Sequence, residues 1–329
     1  MKFIKDFLNS GTAKQQKRKR LGALLVSITA ALLVVALLVL AVFGIVGAIK
    51  NRGEEEETEE EGNKIPKGYV TTEFSKDQDI NGTLLKITAS KANSYKGKAP
   101  TVQPSPTVRK AAGLETSYYA DYSDIKLQQE TMDAFHAMVK AFYAANGDTL
   151  NASVNKLYLD SNIAPKSAKP SNDTKAVMNS GTILILSEQP CGNGATYDEE
   201  VSIYDAENKT GKGVYKWIYD NAARYGFIPV SDTKEEGNIF RYVGAAHATY
   251  MTKNKLTFDA YLEKLDSTQA GKTLSISVTG EDGKAIRYEM YYIAPTTEHL
   301  VPEKYEYTVS GDNAGGYIVT VNKTVQKDK

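Results

Sequence analysis

Three histidines (His136, His247 and His299) and a single cysteine, Cys191, are the side chains of this 329-residue sequence best suited to holding a metal or attacking a carbonyl. Cys191 lies in the run Pro190-Cys191-Gly192-Asn193-Gly194, and only His136 precedes it, so the sequence offers little for a Cys/His nucleophile. His136 falls on an amphipathic helix expected over residues 127–145, where it reads as a half-exposed structural residue. One thiol cannot form an internal disulfide, so the fold must be held by packing. From residue 62 onward 31 Lys and Arg stand against 32 Asp and Glu, a near-neutral balance that argues against a nucleic-acid footprint there.

Elements that could position a site follow from periodicity. Met132, Phe135, Met138, Val139, Phe142 and Tyr143 recur at helical spacing, and Asn146-Gly147 supplies a stop. A second helix is predicted over 213–225, with Val214, Trp217, Ile218 and Ala222 on its apolar face and Gly226 ending it. Strands are predicted over 182–186, 201–204 and 240–243, and a short helix over 245–251. Thr257 reads as the N-cap of a helix through 265. Beyond it the period becomes two: Leu274, Ile276 and Val278 alternate, Asp282-Gly283 turns the chain, and 286–293 returns as the hairpin partner. A last pair covers 305–309 and 317–321. Residues 79–94 read as extended, whereas 96–117 and 161–180, both holding prolines, read as loops. The class is α+β with a β-rich C-terminal appendage, and no internal repeat is visible.

Residues 21–49 carry no charge and are mostly Leu, Val, Ala, Ile and Phe. At about 1.5 Å per residue the run exceeds a hydrocarbon core of roughly 30 Å. It is also longer than the apolar core of a cleavable signal peptide, so an uncleaved anchor is expected. Lys14, Lys17, Arg18, Lys19 and Arg20 precede it, and this bias keeps the N-terminus cytoplasmic. Everything beyond is then expected outside, on a solvated acidic run from Glu54 to Glu61. The expected organisation is a basic tail (1–20), a membrane helix (21–49), an acidic linker (50–78), a globular domain (79–266) and the appendage (267–329).

Within that globular part, the stretch Val214-Tyr215-Lys216-Trp217-Ile218-Tyr219-Asp220-Asn221-Ala222-Ala223-Arg224-Tyr225-Gly226-Phe227-Ile228 resembles a "W…NA..YGF" helix of the VanY-type D-alanyl-D-alanine carboxypeptidases. Phe240-Arg241-Tyr242-Val243-Gly244-Ala245-Ala246-His247-Ala248 resembles the same family's "RYVG..HA" segment, and Leu256-Thr257-Phe258-Asp259-Ala260-Tyr261-Leu262 its "LT.EEYL" helix. The likeness spans roughly residues 80–265. It implies a DD-peptidase/Hedgehog-like domain and a zinc peptidase that removes D-alanine from peptidoglycan stem peptides. It further implies a metal held by His and Asp in "S.H..G...D" and by a second His in "E.WH", with the Glu of that motif as general base.

Carried over position by position, the resemblance puts the Asp ligand on Asp205 and the first His on Asp198. The second His falls on Ile239, its neighbouring Trp on Asn238 and the general base on Glu236, with Glu235 a one-residue slip. Ser153-Val154-Asn155-Lys156 corresponds to the segment whose Arg would bind the substrate carboxylate, so Lys156 takes that role. Ile239 has no lone pair, and two carboxylates without imidazole favour hard cations over zinc. His247 matches a non-ligand position and His299 lies in the appendage, so no cofactor is expected. The expected function is a degenerate, membrane-anchored wall-side domain whose partner is stem peptide or an envelope protein. An active carboxypeptidase with an altered metal site and a purely structural surface module are the alternatives.

Overall fold

Two strands with apolar residues on both faces organise the fold. In the computed structural model, which describes residues 65–120, 122–147, 157–188, 202–280 and 282–327, these are β4 and β8 of a five-stranded sheet. The sheet runs in the order β2-β3-β4-β8-β7: β2 (Tyr118–Ala120), β3 (Leu157–Leu159), β4 (Ile183–Glu188), β8 (Ile239–Tyr242) and β7 (Phe227–Pro229). Only β2 and β3 pair in parallel; the other neighbours are antiparallel. Strand alternation sends successive side chains to opposite faces, so a strand without a polar face must be covered twice.

Leu184, Leu186, Phe227 and Phe240 pack on one side with Met132, Phe135, Met138, Val139 and Phe142 of helix α2 (Gln129–Asn146). On the other side Ile183, Ile185 and Ile239 meet Leu85 and Ile87 of the N-terminal segment and Val177 and Met178 of helix α3 (Asn172–Met178). A two-stranded hairpin, β5 (Tyr204–Asp205) and β6 (Thr210–Gly211), leads into helix α4 (Lys216–Asn221).

Helices α5 (Ala245–Asn254) and α6 (Phe258–Leu265) join this layer to a four-stranded antiparallel sheet ordered β12-β13-β10-β9. Its strands are β9 (Leu274–Thr279), β10 (Ala285–Ile293), β12 (Tyr305–Gly311) and β13 (Tyr317–Gln326). Met251, Tyr261, Leu262 and Leu265 of the helices share a core with Ile276, Val278, Met290 and Ile318 of the sheet. His247 fastens the junction. Its Nδ1 lies 2.6 Å from the Tyr261 hydroxyl and its Nε2 2.7 Å from Thr320 Oγ1. Strand β1 (Tyr69–Thr72) pairs antiparallel with β11 (His299–Pro302) beside this sheet.

Helices α2, α5 and α6, the C-terminal hairpins and the Thr257 cap stand where the sequence predicts them. Thr257 Oγ1 accepts from Ala260 N at 3.3 Å. Several loops hold more structure than expected. Ser105 caps helix α1 (Pro106–Ala111), whose first-turn proline reads as a breaker in sequence but is preorganised for that position. Ser171 caps α3 in the same way inside the predicted loop 161–180. The helix predicted over 213–225 is three short pieces, Gly213–Tyr215 and Ala222–Tyr225 being 3₁₀ turns around α4, and Gly226 at φ 91° ends the run. Strand β1 falls inside the span read as acidic linker. Among the described residues no helix is long and apolar enough to cross a membrane, and residues 21–49 lie outside them.

Two measurements test this packing. Phe240→Ala, which empties a fully buried position in the helix-facing core, is expected to lower unfolding free energy by about 3–5 kcal/mol in chemical denaturation. Burial pushes His247 down to about 3, so it stays neutral in the folded state while the unfolded chain protonates near its ordinary value. The unfolded state then binds more protons through that window, and stability falls as pH drops from about 6.5 toward about 3. Thermal melts across this range are expected to show that slope, flattened in His247→Gln.

Candidate functional site

The alternation of β8 decides what each of its residues can do. Phe240 points into the helix-facing core, whereas Ile239 is fully buried in the opposite apolar cluster. Arg241 shares that second face. A cleft of about 740 Å³ opens there, lined by Lys86, Thr174, Ile183, Arg241, Leu256 and Phe258 among others.

The residues that the resemblance singles out have other occupations here. Glu236, half-buried in the turn before β8, accepts from Ser171 N at 2.7 Å and from Thr174 Oγ1 at 2.6 Å. Its carboxylate therefore holds the N-terminus of α3, where amides and helix dipole favour negative charge. Asp205 accepts from Glu207 N at 3.0 Å, Asn208 N at 3.1 Å and Asn208 Nδ2 at 2.8 Å. The Asn208 bonds hold the Asp205 carboxyl below the ordinary carboxylate range, as expected for an acceptor tying its own turn together. Lys156, Asp198 and Cys191 lie outside the described residues.

The scaffold nevertheless brings hairpin and turn together. The Tyr204 ring lies so close to Gly237 that no side chain would fit there, and the Tyr219 hydroxyl donates to Gly237 O at 2.8 Å. Behind the turn runs a polar chain that sequence reasoning did not single out. Asn238 Nδ2 donates to Ser167 Oγ at 3.0 Å and to Leu186 O at 2.9 Å, and Ser167 Oγ donates to Asp160 Oδ2 at 2.8 Å. Buried Asp160 also accepts from Ser161 N, Lys166 N and Ser167 N, so it organises the loop after β3.

These donors do not fit the zinc that the resemblance implies. Ile239 cannot ligate, Asp205 spends both oxygens on donors of its own turn, and Glu236 commits Oε1 to Ser171 N and Thr174 Oγ1. The histidines are engaged elsewhere: His136 is buried against the Tyr118 hydroxyl at 2.9 Å rather than half-exposed, His247 bridges α5 to β13, and His299 Nδ1 accepts from Phe74 N at 3.2 Å. Among the described residues no three of His, Cys, Asp and Glu converge as a metal-holding group.

Known proteins place this arrangement. No protein-family profile matches the chain. A D-alanyl-D-alanine carboxypeptidase of Enterococcus faecium is 36% identical over 116 residues, which are 32% of this chain and 36% of that relative. The match thus spans about a third of the relative's own length. The crystal structure of the vancomycin-resistance D,D-dipeptidase VanXYg, in complex with a D-Ala-D-Ala phosphinate analogue, superposes with a TM-score of 0.53 at 16% identity, over 78% of this chain and 99% of that one. VanYB in complex with D-alanine-D-alanine aligns at a TM-score of 0.27 and 14% identity over 55% of this chain and 97% of that one, too loosely to bear on the argument. The globular part has a D,D-peptidase fold. By sequence and fold together, the chain resembles the VanY-type D-alanyl-D-alanine carboxypeptidases.

If Glu236 is a helix-capping residue, Glu236→Ala should cost about 1–3 kcal/mol of stability and loosen amide protection across α3 in hydrogen exchange. Unchanged protection in α3 would show that the carboxylate has another purpose.

Proposed function

We propose that this chain is a wall-side D-alanyl-D-alanine carboxypeptidase-like domain that binds peptidoglycan stem peptide without hydrolysing it, anchored by residues 21–49. The observation that carries this reading is Ile239. The position that would supply the second histidine ligand is occupied by an aliphatic side chain at full burial, packed against Leu85 and Ile87 from the chain's own N-terminal segment. A metal ligand has to present a lone pair to an open coordination position, and this environment offers neither lone pair nor water access.

The bonding of Asp205, both of whose oxygens tie its own turn, supports the same reading, and Glu236 commits Oε1 to the start of α3. Close contact between the β5–β6 hairpin, the helix after it and the turn before β8 favours a binding surface over a fold that has lost its groove. The charge-free run at 21–49 and the basic residues before it support placing the domain on the peptidoglycan side of a membrane.

The test is metal analysis of the purified chain, alongside D-alanine release and calorimetric binding with a pentapeptide stem. Expected are substoichiometric zinc, no D-alanine release and saturable binding of the pentapeptide. Stoichiometric zinc with D-alanine release would establish the active enzyme instead. Absence of binding to both pentapeptide and whole sacculi would reduce the domain to a structural module.

A further inference from the structure

Arg241 is a buried cation without a counter-ion. Its Nη2 donates to Leu85 O at 2.6 Å, and its guanidinium carbon lies 3.7 Å from the centre of the Phe258 ring. The remaining donors have no protein acceptor, and Nε is both buried and unpaired. Among the described residues no carboxylate reaches ion-pair distance. Asp259, in the first turn of α6, acts on Arg241 only through its field. Burial pushes the guanidinium down to about 9, which leaves it charged at neutral pH. A desolvated, unpaired charge is costly, and buried polar groups left over by the protein mark places where something else completes the bonding.

Arg241 also lines the 740 Å³ cleft, which is within the size range of small-molecule and peptide-terminus sites. The wall around it is apolar, from Ile183, Ile228, Val230, Met251, Leu256 and Phe258. Lys86 and Lys255 add positive charge to the lining and Asp173 and Asp259 negative charge, whereas Lys209 is taken up by Asp232 at 2.6 Å. At Arg241 itself the guanidinium, with an unpaired Nε, lies against Phe258 and near aliphatic side chains, a setting that suits a carboxylate carried on a short apolar substituent.

We infer that this cleft is a carboxylate-binding site in which Arg241 takes the acid group and the surrounding apolar side chains take its substituent. The position differs from Lys156, the residue that the resemblance assigns to substrate carboxylate. The inference rests on the unpaired guanidinium and the cleft, and so stands apart from the stem-peptide reading. A peptide C-terminus and a free short-chain acid share the required chemistry, and the test separates them.

The full chain labelled with 15N-arginine is titrated with three probes: acetyl-D-alanyl-D-alanine, its C-terminal amide, and isobutyrate. The Arg241 Nε–H resonance, assigned from its disappearance in Arg241→Gln, reports on the site. Expected is saturable movement of that resonance by the acid peptide, with a dissociation constant on the order of 1 mM or tighter, and roughly tenfold or greater weakening with the amide. If isobutyrate moves it and the acid peptide does not, the carboxylate site stands and the stem-peptide reading falls. If acid and amide bind alike with Nε–H unmoved, stem-peptide binding survives and this inference is overturned. No response to any acid also overturns it. If Arg241→Gln fails to fold, the conservative Arg241→Lys supplies the assignment, and the ligand comparisons themselves use the unsubstituted chain.

Discussion

Strand β8 has to satisfy two different surroundings within four residues, and most of the structure follows from that constraint. Phe240 goes to the helix-facing core, and Ile239 and Arg241 go to a face that needs a cover of its own. The cover is built from distant sequence: Leu85 and Ile87 from before the first core helix, and Val177 and Met178 from α3. Glu236 holds α3 by its first turn, and Arg241 holds the N-terminal segment through Leu85 O. The strand and the turn before it thus secure both halves of the cover that their side chains require.

This arrangement changes the meaning of the positions inherited from the peptidase likeness. Glu236, which the resemblance aligns with the general base, caps a helix; Asp205, aligned with a ligand, ties a β-hairpin turn; and Ile239, aligned with the histidine, is part of a hydrophobic cluster. Each substitution alone is a local matter. The face of β8 that carries Ile239 is packed, and the open volume beside it lies at Arg241 and α6.

The long periodic elements were legible in the sequence because their packing faces repeat. Helix α2 shows its stripe from Met132 to Phe142, and β9 and β10 alternate visibly. Helices α1 and α3 were not, since six and seven residues span too few turns to establish a period, and Pro106 in α1 and Pro170 just before α3 read as breaks. Strands β2, β3 and β7, at three residues each, carry no alternation to detect. The site residues could be located through motif resemblance, but their hydrogen-bond partners lie 62 to 65 positions away for Glu236 and 156 for Arg241. No spacing rule reaches that far. A basic residue between aromatic neighbours in Phe240-Arg241-Tyr242 was the available signal for Arg241, and strand alternation was the physics needed to read it.

The pairing of β1 with β11 sets how mechanical load enters the domain. Tyr69–Thr72 zips to His299–Pro302, next to the aromatic cluster of Tyr69, Phe74 and Tyr291 and ahead of every element of the central sheet. Tension transmitted along the chain from its N-terminal side therefore meets the β1–β11 ladder before it can reach β8. The four residue pairs of that ladder are the first pairing among the described residues that such a load would have to open.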